Sequence, residues 1–260
     1  MKIAHEAPLS IFDQVQALTD YDYALVHLFE ENEQYLDTFV KARDKGREII
    51  LDNSIFELGT AFDPLGFAKW VEYLKSEWYI VPDVLDNASA TIDSFNRFID
   101  AYTDLPGRVI AVAQGSSYSE LVDCYTYFAN HPKVEKIGLS FNHPFFQDMS
   151  GGNRYYRMMA GRQWTLRNMV AEGVINENKK HHLLGCGLPQ EFKAYHNFKW
   201  IDSMDTSNPV IHGLKGIRYE EHGLDDKESV KLFTLIEEDV LACWYDIEYN
   251  IAMFRKFCRG

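Results

Sequence analysis

The chain has 260 residues, 46% of them hydrophobic and 14% aromatic, enough to bury one sizeable core. Its formal charge of −13 excludes broad, nonspecific adhesion to phosphate backbones, so any contact with nucleic acid needs a local concentration of basic residues. The four cysteines, Cys124, Cys186, Cys243 and Cys258, lack C-x-x-C spacing and the density of a disulfide framework, which predicts reduced thiols without a structural zinc. With no signal-like run at the start and no stretch approaching the ~20 apolar residues of a membrane span, a cytoplasmic protein is expected.

From residue 20 onward, short β-rich runs alternate with amphipathic stretches. The continuous apolar character of the runs is that of strands buried on both faces. Strands are predicted near Ala24–Leu28, Glu48–Leu51, Trp78–Val81, Val109–Ala113, Lys136–Leu139, His182–Gly185 and Phe198–Ile201, with an eighth around Val210–Ile217. Helical patterns cover Glu33–Lys45, Pro64–Lys75, Ala88–Ala101, Ser117–Asn130, Tyr155–Glu172 and Pro189–Tyr195, and Lys227–Phe257 reads as a C-terminal packing helix. The alternation predicts an α/β fold: one (β/α)8 TIM-like barrel over residues 1–260. A long helical insertion near residues 141–180 is expected to form a lid or substrate-binding excursion. No G-x-G-x-x-G follows the first predicted strand, which argues against an open dinucleotide-binding sheet.

Several predicted strands end in polar residues: Asp52-Asn53-Ser54, Asp83 and Asp86, Gln114-Gly115, Ser140, and Asp202. In a barrel these ends converge on one pocket, where acids distant in sequence flank a single substrate. Helix capping is the plainer account of any one of them. The segment from Ile201 to Pro209 places Asp202 and Asp205 three residues apart. A carboxylate below a sugar can attack the anomeric carbon and hold a covalent intermediate while a second acid moves protons. Alternatively Asp205 caps a turn and Asp202 forms a buried salt bridge. The histidines suit no metal: His181 and His182 are adjacent, so their side chains diverge on a strand, and no H-E-x-x-H occurs.

The Asp202, Asp205 and Pro209 spacing resembles the V-D-M-F-D-C-x-x-P nucleophile segment of tRNA-guanine transglycosylases. In the same order, His182 to Pro189 resembles that family's H/Y-L-M-G-x-G-x-P, and Ala111 to Gly115 its G-I-V-Q-G. Leu51 to Ser54 stands where the family has D-S-G-G-F, and Lys136 to Ser140 where it has a G-G-L strand. The resemblance covers roughly residues 48 to 210. It implies a barrel that breaks a nucleoside's N-glycosidic bond without a cofactor. Asp202 would then be the nucleophile and Asp52 the general acid/base. Asp83 or Asp86 with Gln114 and Gly115 would grip the base, and Gly138, Leu184 and Gly185 would border its pocket.

The family's C-x-C-x-x-C-plus-His zinc module is absent, and Asn53-Ser54-Ile55 replaces its glycine loop. The compact, zinc-free form is most similar to the 7-deazaguanine DNA transglycosylase branch of phages and bacterial DNA-modification loci. DNA is thus preferred over tRNA as the polymer, presented as a flipped or single-stranded nucleotide, and a free modified base is the second partner. A homodimer is permitted. Arg154, Tyr155, Arg157, Arg162, Trp164 and Arg167 interleave guanidinium and aromatic groups and form the candidate nucleic-acid contact, against the plainer reading of an amphipathic helix. The covalent intermediate can pass to an incoming 7-deazaguanine-type base or to water, which would leave an abasic site. Two other readings stay open: a catalytically inactive barrel that binds nucleic acid or a protein, and a small-glycoside hydrolase.

Overall fold

In the computed structural model, which describes residues 1–260, eight short strands pair side by side, all parallel. They are β1 (Lys2–Ala4), β2 (Asp22–Leu25), β3 (Ile49–Asp52), β4 (Trp78–Ile80), β5 (Arg108–Ala113), β6 (Val134–Ser140), β7 (Lys180–Leu184) and β8 (Ile201–Asp205). Their order is β1-β8-β7-β6-β5-β4-β3-β2, the order of a TIM-like (β/α)8 barrel cut between its first two strands. Asp20 bridges that seam: its N–H donates to the Ile3 carbonyl at 2.9 Å, and its carboxylate accepts from the Ile3 N–H at 2.9 Å.

Ten helices accompany the strands: α1 (Phe12–Gln16), α2 (His27–Glu31), α3 (Glu33–Asp44), α4 (Ile55–Leu58), α5 (Pro64–Leu74), α6 (Ala88–Ala101), α7 (Tyr118–Asn130), α8 (Arg154–Ala171), α9 (Asn208–Leu214) and α10 (Trp244–Arg259). The five longest apart from α10 start where a polar side chain accepts from a first-turn N–H: Asn32 before α3, Asp63 before α5, Asn87 before α6, Ser117 before α7 and Asn153 before α8. One core cluster joins strand residues such as Ile50 and Ile110 to helix residues such as Phe67, Phe95, Leu166 and Phe254. A smaller cluster of Ile11, Val15, Val210, Ile211, Ile247 and Ile251 packs α1, α9 and α10 together. No helix is long and apolar enough to cross a membrane.

Three expectations about elements need correction. The eighth strand is not at Val210–Ile217, which forms α9 and the turn after it, with Pro209 in the helix's first turn; the missing strand is β1, at the other end of the chain. The strand expected at Phe198–Ile201 lies several residues later, at Ile201–Asp205, because its polar residues face groups inside the barrel. Lys227–Phe257 is not one helix. Only Trp244–Arg259 is α-helical, whereas residues 215–243 form a strap with two short 3-10 turns that carries Lys227, Val230, Lys231, Leu232 and Phe233 to the barrel mouth. The 141–180 connection holds α8, and only Phe141 from it lines the central pocket.

Candidate active site

Because every strand runs the same way, the residues that end the strands share one face of the barrel. A pocket of about 970 Å³, its open mouth included, lies there. Its lining includes Asp52 and Asp205 as the last residues of β3 and β8, Asp83 and Gln114 from the segments after β4 and β5, and Leu184 and Gly185 at the end of β7. Glu6, Tyr23 and Glu57 complete its polar wall, and the strap covers one side.

Asp205 is held by one oxygen. Its Oδ1 accepts from His182 Nε2 at 3.0 Å and from the Gly185 N–H at 3.3 Å, while Oδ2 carries no protein hydrogen bond. Gly185 adopts φ +65°, and a Cβ there would stand 2.5 Å from the Phe141 ring, so glycine is needed both for the turn and for the approach. Asp52 accepts from the Tyr23 hydroxyl and from the Ser54 N–H. The Tyr23 ring in turn stacks on His182 with centroids 5.9 Å apart. Tyr23 and His182 thus form a rigid wall joining the two acids.

Below them, Asp83 accepts from Asn53 Nδ2 at 2.8 Å and from Gln114 Nε2 at 2.7 Å. Gln114 is fixed at its other end, where Oε1 accepts from the Asp86 N–H at 3.2 Å. A carboxylate has about four acceptor sites, so Asp83 keeps capacity for donors on a ligand edge.

Burial, with the crowding of carboxyl groups second to it, sets the electrostatics. Burial, with Glu57 and Asp205 nearby, holds Asp52 well above the usual carboxyl range, against the opposing hydrogen bonds of Tyr23 and Ser54. Burial and the neighbouring Asp205, Glu57 and Asp52 do the same to Glu6. Glu57 is pushed up by burial to about 7, and burial raises Asp83 despite its two amide donors. Lys227, whose ammonium burial makes easier to deprotonate, donates to the Cys186 carbonyl at 2.7 Å and lies 4.8 Å from the Phe141 ring centre.

Asp202 is not in this pocket. As the second residue of β8 it sits toward the opposite end of the barrel, paired with buried Lys136 at 2.9 Å and with Lys180 at 3.5 Å. Burial opposes its ionisation, but Lys136, Lys180 and Lys2 together hold its carboxyl below the usual range. The salt-bridge alternative for Asp202 therefore matches the geometry, and Asp205 occupies the strand-end position expected of it.

Asp86 also lies outside, with its backbone at φ +57° and its carboxylate 3.7 Å from His143. Gly115 does not line the pocket; it is pressed against α7, where a Cβ would meet the Leu121 nitrogen at 2.4 Å. Gly138 acts from behind, because a Cβ there would strike Leu184 at 2.7 Å and Val112 at 2.9 Å, both pocket residues.

The helical set separates in the same way. Arg162 is buried, paired to Glu191 at 2.6 Å and donating to the carbonyls of Leu139, Leu184 and Gly185, so it is a brace for the ends of β6 and β7 and not a surface contact. Tyr155 is buried against Ser229 of the strap. Arg154, Trp164 and Arg167 are exposed, and Arg157 is half-buried beside Gln147.

Glu6, Tyr23, Glu57 and His182 were not singled out from the sequence as site residues. Glu6 follows a three-residue strand that periodicity does not detect, and His182 reads as structural because adjacent histidines on a strand diverge and suit no metal. No protein-family model matches the chain, and no curated protein is significantly similar to it.

Proposed function

We propose that this protein cleaves a base–sugar N-glycosidic bond in DNA, with Asp205 as the nucleophile and Asp52 as the proton donor. The observation that carries the reading is the contrast between the two strand-end acids. Asp205 is oriented through one oxygen and leaves the other without a protein hydrogen bond, whereas burial and acidic neighbours favour the protonated form of Asp52. Glycosyl transfer requires two carboxyl groups in different roles: one protonates the leaving group while the other attacks the anomeric carbon.

The Asn53–Asp83–Gln114 network supports recognition of a flat, hydrogen-bonding leaving group, since a wrong base would leave these buried groups unpaired. In the forward step the Asp205 Oδ2–C1′ bond forms as the C1′–N bond breaks, and the departing base takes the proton from Asp52. Water or a second base then displaces Asp205 from C1′, and Asp52 recovers a proton from that incoming group. Hydrolysis leaves an abasic site; exchange installs a new base. The order of strand-end motifs shared with tRNA-guanine transglycosylases supports the same chemistry, with the nucleophile moved from Asp202 to Asp205.

The test is incubation of the protein with plain and base-modified DNAs, with and without free 7-deazapurines, assaying released base and alkali-labile sites. Asp205→Asn is expected to lower base release by roughly 10³-fold or more, as loss of a covalent nucleophile does. Asp202→Asn, outside the pocket, is expected to lose far less, at most the roughly 10- to 100-fold of an outer orienting group. Equal losses in the two variants, or no release from any DNA by the unaltered protein, would end this reading.

A further inference from the structure

A line of buried polar groups runs through the barrel interior, where TIM-like barrels ordinarily pack branched apolar side chains. It starts at Asp202, paired with Lys136 at 2.9 Å. Lys136 Nζ donates to Ser203 Oγ at 3.2 Å, Ser203 Oγ lies 3.0 Å from His182 Nδ1, and His182 Nε2 lies 3.0 Å from Asp205 Oδ1. Lys136, Ser203 and His182 are all 0% exposed. An ammonium in such a place gives up its hydration, a loss offset here by Asp202 and by the Trp78 ring, whose centre is 4.0 Å from Nζ.

Donor counting orients the whole line. An ammonium only donates, so Ser203 accepts from Lys136 and has a single hydrogen left to give. Burial favours the neutral imidazole of His182, and a neutral ring that accepts from Ser203 at Nδ1 carries its proton on Nε2. That proton points at Asp205 Oδ1. At the other end, Asp205 Oδ1 accepts from the Gly185 N–H and has a lone pair left for the hydrogen on Nε2.

We infer that Lys136, through Ser203, locks His182 as the Nε2–H tautomer and makes it a positioning residue that holds Asp205 with Oδ2 turned to the pocket. The lock works from the far end of the barrel, so it orients the carboxylate without occupying any of the pocket. The role assigned to Asp205 rests on the function proposed above; the tautomer lock does not.

The lock is tested by long-range ¹H–¹⁵N NMR of histidine-labelled protein, with the His182 resonances identified by their loss in His182→Gln. The unaltered protein is expected to show Nε2 with a protonated-type shift and Nδ1 with an unprotonated-type shift. Ser203→Ala, which removes the relay with little change in volume, is expected to produce a second population with the two shifts exchanged, and Ser203→Thr is expected to restore the single form. A His182 protonated on Nδ1 in the unaltered protein, or one unchanged in Ser203→Ala, would overturn the inference.

In the base-release assay, Ser203→Ala is expected to lose roughly 10- to 100-fold in kcat with KM unchanged, as loss of an outer orienting group does. A tautomer change in Ser203→Ala with kcat unaltered would overturn the positioning role. Absence of base release in the unaltered protein would end the glycosidic reading and leave the NMR result to decide the lock by itself.

Discussion

Glu57 lies at the mouth of the pocket with its carboxyl near neutrality, and that has a consequence for stability at ordinary pH. Its proton is retained up to about 7 in the folded chain, against 4.5 for the free group. As pH rises between those values the unfolded chain has already ionised and the folded one has not, so this group progressively opposes folding, and above the folded value the penalty is constant. Glu57→Gln is therefore expected to gain in Tm relative to the unaltered protein as pH is raised through that window, with the difference level beyond it; thermal melts in matched buffers measure this. Two glycines offer a contrast at the same scale. Gly115→Ala sets a Cβ 2.4 Å from backbone, which cannot yield cheaply, whereas Gly138→Ala meets the ends of Leu184 and Val112. Denaturant titration is expected to show Gly115→Ala costing about 3 kcal/mol and Gly138→Ala about 1, at the two ends of the usual overpacking range. Only the second should narrow the pocket, because the side chains that give way are part of its lining.

Among the elements, α8 illustrates a cap with two duties. The Asn153 oxygen accepts from the Tyr156 N–H at 2.9 Å, and its amide nitrogen donates to Asp225 O at 2.8 Å and Asp226 Oδ1 at 2.9 Å on the strap. Asn153→Asp keeps the cap and loses the donor, so hydrogen exchange is expected to quicken across residues 225–233 while α8 stays protected. Asn153→Ala is expected to loosen both and to cost about 1 kcal/mol for the cap alone. Strands with unbroken apolar runs, such as Ile49–Asp52 and Val109–Ala113, and helices opened by Asp63-Pro64 or Asn87 stand almost where their patterns put them. The failures have separate causes. Inside β8, Asp202, Ser203 and Asp205 are polar because Lys136 of β6 and His182 of the adjoining β7 bond to them within the barrel, so hydropathy ends the strand too early and puts the wrong aspartate at its end. The strap has neither glycine nor proline from Leu224 to Cys243 to break a helical pattern; it is held open by Leu232 and Ile236 reaching into buried positions.

For the molecule as a whole, the decisive join is the seam between β1 and β2, and α10 clamps it. Arg255 pairs with Asp20 at 2.8 Å and donates to the Leu18 carbonyl at 2.6 Å, while Arg259 pairs with Asp20 at 3.1 Å. Burial opposes ionisation of Asp20, but the Arg255 and Ile3 hydrogen bonds and both arginine charges outweigh it and hold the carboxyl below its usual 3.8. Its contribution is thus complete above that pH and is lost as pH falls through the lowered folded value. Asp20→Asn is expected to melt earlier at neutral pH, with the gap closing in acid; a persistent gap at low pH would assign the loss to shape and not to charge.

The seam also dictates a timetable. His5 meets Thr206 across 201 positions of chain, and Asp20 meets Arg255 across 235. Loops of that span close late, after nearer strand pairs have formed. On the ribosome, β1 has no partner until β8 emerges, and the opposite edge at β2 has no clamp until α10 does. For most of its synthesis this chain is therefore an open sheet with two unpaired edges, which is the form most prone to join its neighbours and the one a chaperone would have to shield.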